Sequence, residues 1–133
     1  MNKEELKQRT KKFSLEIIKL VELIPNTKVG HTIANQIVRS ATSVGANYRA
    51  TCRAKSDRDF LYKIQIVEEE ADETLFWLEL LKERKMLNEN LLDNLIKECD
   101  ELVAIFTATA KTVRNKINAK KKKNENIEDC EWE

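Results

Sequence analysis

The stretch RSATSVGANYRATCRAKS, residues 39–56, decides how this chain folds. The chain has 133 residues with only two glycines and one proline, yet this stretch collects small side chains. Such a composition suits either a ligand-cradling loop or a helix that packs closely against a neighbour. A helical spacing of apolar residues begins before the stretch and continues within it, at Ile33, Ile37, Ala41, Val44 and Tyr48. The spacing therefore favours a helix.

Gly45 supplies the second indication. On a helical wheel it lies beside Ala41 at the edge of the apolar stripe, so it faces inward. A glycine inside a helix costs about 0.5–1 kcal/mol relative to alanine, and close approach of a neighbouring helix would offset that cost. The stretch has neither GxGxxG nor Walker spacing, which disfavours a phosphate-binding loop.

The same apolar spacing predicts four helices in all. They are expected over Lys3–Ile24, from a cap at Thr27 through the opening stretch, from about Asp57 to Lys85, and from a cap at Asn88 or Asn90 onward. Short connections between long helices place neighbours antiparallel. We therefore expect an all-α, up-down-up-down four-helix bundle over residues 1–118. Residues 119–133, a lysine run followed by acidic residues, are expected to form a charged flexible C-terminal tail.

Composition and charge limit the classes of function. The formal net charge is +1 although 35% of residues are charged, so an electrostatic partner has to be sought in local patches. Cys52, Cys99 and Cys130 form no CxxC pair, which is typical of reduced thiols. No apolar run suits a membrane span or a signal peptide. We expect a soluble, cytoplasmic protein with no membrane contact.

Basic residues are the first candidate site. Arg39, Arg49 and Arg53 share one flank of the second helix, and further basic residues surround its junction with the third. Together with the lysine run, the nucleic-acid-binding candidates are Arg39, Arg49, Arg53, Lys55, Arg58, Lys63, Lys120, Lys121, Lys122 and Lys123. Solvated or ion-paired basic residues are the alternative.

The third helix carries the second candidate site, because its apolar residues occupy more than one face. A lone bundle cannot bury both faces. The second face holds Tyr62, Ile66, Glu69, Glu73, Phe76, Trp77 and Leu80. An apolar face with embedded carboxylates suits a homo-oligomer interface. The alternative is that the N-terminus or the tail folds over Trp77.

Residue patterns give no indication of an enzyme, a metal centre or a cofactor. The only histidine, His31, has no acidic residue three places before it, whereas di-iron bundles need Glu-x-x-His pairs. Cys52 falls on a predicted core position and has no orienting partners for nucleophilic catalysis. We expect a non-catalytic protein without a metal site.

Residues 36–81 resemble the four-helix-bundle proteins encoded by intervening sequences of bacterial 23S ribosomal RNA genes. The resemblance rests on RSATSVGANYR at 39–49, KSDRDF at 55–60 and EEADETLFWL at 69–78. It extends more weakly from about Phe13 to Arg114. Ala50 and Thr51 stand where many relatives have a glutamate, which indicates a subgroup.

The resemblance implies a four-helix bundle that assembles into a homopentameric barrel. The family is also similar to the accessory variability protein of diversity-generating retroelements, which binds a reverse transcriptase and nucleic acid. Two functions follow as hypotheses. The first is nonspecific RNA or DNA binding through a basic surface, and the second is an adaptor that docks a reverse transcriptase or RNA-processing partner. A passenger gene without a host function is a third reading.

Overall fold

A computed structural model describes the backbone of residues 1–132 and the side chains of residues 1–125. Its secondary structure is four helices, and the described residues contain no strand. The helices are α1 (Lys3–Val21), α2 (Lys28–Thr51), α3 (Asp57–Glu83) and α4 (Glu89–Trp132). Over these residues, no helix is long and apolar enough to cross a membrane.

Helix boundaries follow the capping residues in the sequence. The side chain of Thr27 accepts a hydrogen bond from the Gly30 backbone, and that of Ser56 accepts one from the Asp59 backbone. The side chain of Asn88 caps α4 by accepting hydrogen bonds from the backbone N–H groups of Asn90 and Leu91. The predicted caps at Thr27 and Asn88 and the start near Asp57 are thus confirmed. Helix α1 ends at Val21, three residues before the predicted end.

The opening stretch is helical through Thr51, so it is not a loop. Ile33, Ile37, Ala41, Val44 and Tyr48 of its predicted core stripe are buried, whereas Cys52, also predicted at a core position, is only partly buried because it lies at the end of α2. The other helices contribute matching stripes to the same core, including Phe13, Ile17, Leu20, Ile64, Val67, Ala71, Leu78, Leu92, Leu102 and Phe106. One continuous core therefore joins all four helices.

Side-chain contacts define how neighbouring helices pair. The Ser14 hydroxyl on α1 donates to the Ala41 carbonyl on α2 at 3.0 Å. The Thr74 hydroxyl on α3 donates to the buried Ser40 hydroxyl on α2 at 2.8 Å. The Cys99 thiol on α4 donates to the Ala71 carbonyl on α3 at 3.2 Å. Helix α2 therefore makes hydrogen bonds to both of its neighbours, α1 and α3.

Helices α1 and α4 share only a short contact. There, Arg9 donates to Glu98 through Nε at 2.9 Å and to Glu101 through Nη2 at 2.6 Å. These two carboxylates raise the pKa of Arg9, with the hydrogen bond to Glu98 as the largest cause. Ion pairs therefore join α1 to α4 at this short contact.

Residues 119–132 are helical, although the sequence predicts a flexible tail there. Helix α4 runs from Glu89 to Trp132 without a break at position 118. The segment contains no glycine or proline, and lysine and glutamate are good helix formers, so nothing local ends the helix. The division of the chain at 118/119 stays a prediction.

Candidate functional site

The surface around Gly45 is shaped by close approach of α1. A Cβ atom at position 45 would lie 3.3 Å from the Ser14 Oγ and 3.6 Å from the Thr10 carbonyl oxygen. Glycine therefore lets the backbones of α1 and α2 come together, as its place on the wheel predicted. The neighbouring Ala46 is exposed, so small side chains continue to the surface.

A groove of about 440 Å³ runs over this contact. We call it the α1–α2 groove; it is lined by Glu4, Lys7, Gln8, Lys11, Ser14, Thr42, Gly45, Ala46 and Arg49. Lys7 and Lys11 belong to the α1 wall, whereas Arg49 belongs to the α2 wall. Basic side chains thus face the groove from both sides.

Two further grooves lie at the same end of the molecule. One brings Lys3 of α1, Lys55 before α3 and Lys116 of α4 around Cys52. The other places Arg58 of α3 beside Lys120 and Lys121 of α4. The N-termini of α1 and α3 therefore meet the C-terminal parts of α2 and α4 at this end.

The three grooves together define the basic end. Among the described side chains, nine basic ones line them: Lys3, Lys7, Lys11, Arg49, Lys55, Arg58, Lys116, Lys120 and Lys121. Of the same described side chains, three acidic ones line them: Glu4, Asp57 and Glu125. A chain with a net charge of +1 therefore concentrates positive charge in one place.

The groove at the α3–α4 connection has a different charge. It is lined by Glu79, Lys82, Glu83, Lys85 and Glu89 together with apolar residues. Acidic side chains outnumber basic ones there. This groove therefore does not share the excess of basic side chains found at the basic end.

Some basic residues of the candidate set are already ion-paired. The Lys120 ammonium lies 2.9 Å and the Lys116 ammonium 3.5 Å from the Asp57 carboxylate. The Lys120 hydrogen bond is the main reason that the pKa of Asp57 is lowered. Lys63 pairs with Asp59 at 3.2 Å. These lysines have to exchange partners before they can bind another anion.

Arg39 lies apart from the basic end. Its guanidinium pairs with Glu70 at 3.2 Å and with Glu73, both on α3. The hydrogen bond to Glu73 is the largest cause of the raised pKa of Arg39. In contrast, Arg49, Arg53, Lys55 and Arg58 are exposed and have no ion-pair partner among the described side chains. Lys121, Lys122 and Lys123 are also exposed.

The second face of α3 is only partly covered within the chain. Tyr62 is 66% exposed and Phe76 is 51% exposed. Trp77 packs edge-on against Phe76 at 5.1 Å and donates its indole N–H to Glu73 at 3.2 Å. Among the other members of this face, Ile66 and Leu80 are half-buried and Glu69 is exposed. We call these seven residues the α3 face.

Several residues at these surfaces are absent from the candidate sites inferred from sequence. Lys3, Lys7 and Lys11 recur every four residues on α1, and this spacing was the available signal. Leu15 and Ile18 of α1 are 54% and 40% exposed, so α1 also presents apolar side chains to solvent. The spacing alone does not say which neighbouring helix the α1 lysines face.

Fold and surface together define an all-α, four-helix protein with a basic end. Residues 2–108 match the family model described as 23S rRNA-intervening sequence protein. The chain belongs to this family, which confirms the resemblance seen in residues 36–81. The match begins further toward the N-terminus than expected and ends before the lysine run.

A solved structure agrees with this assignment. The chain is 30% identical to a protein of unknown function from the S23 ribosomal protein family of Bacteroides thetaiotaomicron, whose crystal structure was determined at 1.70 Å. The similarity covers 79% of this chain and 97% of that chain, with a TM-score of 0.73. No curated protein matches the chain.

Proposed function

We propose that this chain is a non-catalytic protein that binds RNA or DNA nonspecifically through its basic end. The observation that carries the proposal is the excess, among the described side chains, of nine basic over three acidic ones around the three grooves of the basic end. Phosphate backbones are the polyanions that such a surface attracts, and each contact releases counterions. Affinity should therefore fall steeply as salt rises.

The charges favour backbone contacts over base reading. Arg49, Arg53, Lys55 and Arg58 are exposed, so they can reach phosphates without a change of fold. Phe60 is the one aromatic residue among the described side chains that line the three grooves, and it is half-buried beneath the Lys3 ammonium. With so little aromatic surface for base stacking, binding should tolerate any sequence.

Filter binding tests the proposal directly. Arg49→Gln/Lys55→Gln/Arg58→Gln should weaken retention of labelled RNA and DNA and reduce the salt dependence. The matched control is Lys19→Gln/Lys28→Gln/Lys97→Gln, which removes three exposed charges elsewhere. If neither RNA nor DNA is retained by the unmodified protein at low salt, the proposal is lost.

We also infer that the helices form an antiparallel up-down-up-down bundle. The contact pairs support it, because rising residue numbers on one helix meet falling numbers on the next: Thr10 with Gly45 and Ser14 with Ala41 between α1 and α2, and Asp57 with Lys120, Ala71 with Cys99 and Lys82 with Asp93 between α3 and α4. Such a bundle brings alternate helix ends together, which would build the basic end from all four helices.

The α3 face supports assembly into a homo-oligomer, which we propose to be a pentamer on the family resemblance. Exposed aromatic side chains such as Tyr62 and Phe76 are enriched in the cores of interfaces. Phe76→Asp should give monomers in multi-angle light scattering, and Leu15→Asp on α1 is the equally exposed control. An oligomer that survives Phe76→Asp would remove the α3 face from the interface. Because Trp77 is half-buried, its substitution would test folding as well as assembly.

The second candidate function is an adaptor that docks a polymerase or an RNA-processing enzyme. The exposed Tyr62 and Phe76 favour it, because a protein partner could bury them instead of a second copy. A specific partner should be recovered from nuclease-treated lysate by the unmodified protein and lost with Phe76→Asp. Loss of the partner on nuclease treatment alone would support nucleic-acid binding instead.

A cytoplasmic location, suggested by the isolated cysteines, is part of the same proposal.

A further inference from the structure

We infer that the α3 face of one copy of this chain packs against the outer side of α4 in a second copy, in an antiparallel head-to-tail contact. This inference rests on the proposed homo-oligomer and names the surface that receives the α3 face. The receiving residues are all exposed, and we call them the α4 row: Ala104, Ala108, Lys111, Asn115 and Asn118.

The two surfaces do not meet within one chain. Helix α3 contacts α4 of the same chain through the buried residues Ala71 and Cys99, whereas the α4 row lies on the exposed side of α4. Glu73 of the α3 face pairs with Arg39, so this face is turned toward α2. A contact between the α3 face and the α4 row therefore requires a second copy.

Both surfaces have the spacing of a helix–helix seam. In each of them, steps of four and three residues alternate along the chain: Tyr62, Ile66, Glu69, Glu73, Phe76 and Leu80 on α3, and residues 104, 108, 111, 115 and 118 on α4. Such steps keep side chains on one side of a helix, and two seams of this kind interlock when the helices lie nearly parallel or antiparallel. From Tyr62 to Phe76 and from Ala104 to Asn118 the helices each rise about 21 Å, so the seams have matching lengths.

Charge selects one antiparallel register of the two seams. Glu69 and Lys111 are both exposed, and neither has an ion-pair partner among the described side chains. Placing Glu69 opposite Lys111 brings the one carboxylate of the seam that is free of Arg39 to the one cation of the α4 row. Unlike charges at this position fix the register of the contact.

The same register also matches the two surfaces in size. It places Phe76, which is 51% exposed, opposite Ala104, and Tyr62, which is 66% exposed, opposite Asn118. A large ring against a small residue lets the two helices approach closely, and the Asn118 amide offers the Tyr62 hydroxyl a hydrogen-bond partner. The two exposed aromatic side chains are thereby buried by residues that have no ring of their own.

Self-pairing of the α3 face is disfavoured. Glu69 lies midway between Tyr62 and Phe76, so an antiparallel self-contact would set two Glu69 carboxylates opposite each other. The basic flank of α2 is a weaker match than the α4 row, because its Arg39 is already held by Glu70 of the same chain. A head-to-tail contact joins unlike surfaces and builds a ring when the rotation between copies closes.

Charge reversal with rescue tests the contact by multi-angle light scattering. Glu69→Lys and Lys111→Glu should each reduce the mass to that of one chain, because each variant sets like charges against each other. The double variant Glu69→Lys/Lys111→Glu restores an unlike pair in every contact and should recover the mass of the unmodified oligomer. Lys19→Glu is the matched control, since it reverses an exposed cation on α1 and should leave the mass unchanged.

Ala104→Trp provides a second test that leaves every charge in place. Ala104 is exposed, so the larger side chain should block Phe76 of the second copy without changing the helix content measured by circular dichroism. If the oligomer survives both Lys111→Glu and Ala104→Trp, the α4 row is excluded while homo-oligomerisation stands. Dissociation of both single charge variants without recovery in the double variant would also overturn the inference. A monomeric unmodified protein would instead remove the proposed homo-oligomer itself.

Discussion

The Arg39 guanidinium on α2 reaches the Glu70 carboxylate on α3 at 3.2 Å, and it also pairs with Glu73. This arginine therefore joins two helices of the same chain. Arg49 lies ten residues further along α2, about 15 Å away at 1.5 Å per residue, and lines the basic end. Two arginines from one flank of one helix thus have different surroundings.

Arg39→Gln should leave nucleic-acid affinity and its salt dependence unchanged, whereas Arg49→Gln should lower both. The reason is that Arg39 is occupied by two carboxylates and lies outside the three basic grooves. Anisotropy titrations at several salt concentrations measure the difference. Equal losses in the two variants would contradict the separation of their roles.

The buried pair formed by Thr74 and Ser40 should stabilise the α2–α3 contact. Thr74→Val keeps the shape but removes the donor to Ser40, which should cost about 0.5–1.5 kcal/mol of the free energy of unfolding. Ser40→Ala removes the acceptor. The double variant should cost less than the sum of the single variants, because both substitutions remove the same hydrogen bond, while each hydroxyl also has a backbone carbonyl, that of Glu70 or Ile37, within reach. Urea unfolding measures all three, and strictly additive losses would argue against the hydrogen bond.

Gly45 should tolerate one added carbon and no more. Gly45→Ala gains helix propensity of about 0.5–1 kcal/mol but creates a 3.3 Å contact with Ser14, so its stability should stay near that of the unmodified protein. Gly45→Leu should lose about 1–3 kcal/mol, because the side chain has to separate α1 from α2. Urea unfolding checks both, with Ala46→Leu at the neighbouring exposed position as control. A Gly45→Leu variant as stable as the control would mean that the helices are not closely packed there.

Asp57 should weaken nucleic-acid binding by holding Lys116 and Lys120. Asp57→Asn frees both ammonium groups for phosphates, so affinity at low salt should rise, roughly several-fold, and the salt slope should steepen. Asp93→Asn is the matched control, since Asp93 pairs with Lys82 at 2.7 Å away from the basic end. An increase of equal size in both variants would point to net charge alone.

Asp59 should contribute to acid sensitivity. The backbone N–H of Lys55 donates to its carboxylate, and the Lys63 ammonium lies beside it; both lower the pKa of Asp59 below its usual 3.8. A lowered folded-state pKa means that the contribution to stability is complete above the unfolded pKa and is lost as pH falls through the folded one. As the pH falls below about 4, the free energy of unfolding should therefore decrease less in the Asp59→Asn variant than in the unmodified protein. Unfolding by urea across this pH range measures the loss, and Asp100→Asn removes an exposed carboxylate as control.

Much of the fold could be predicted because its signals are local. Thr27 and Asn88 cap helices where the sequence places them, and the stripe from Ile33 to Tyr48 is buried as its spacing indicates. The motif residues between 36 and 81 also identified the family. The length of α4 was not predictable in this way, since a lysine run is compatible with both a tail and a helix.

The sequence by itself determined the four helices, their inward faces and the family, because capping and helical periodicity depend on neighbouring residues in the chain. Only the tertiary structure decided that Lys11 and Arg49 line the same groove, that Arg39 is held by Glu70, and that Asp57 holds Lys116 and Lys120. These relationships depend on the rotation and spacing of packed helices. Periodicity specifies which face of a helix is buried, but the partner of each exposed charge depends on which neighbouring helix lies beside it.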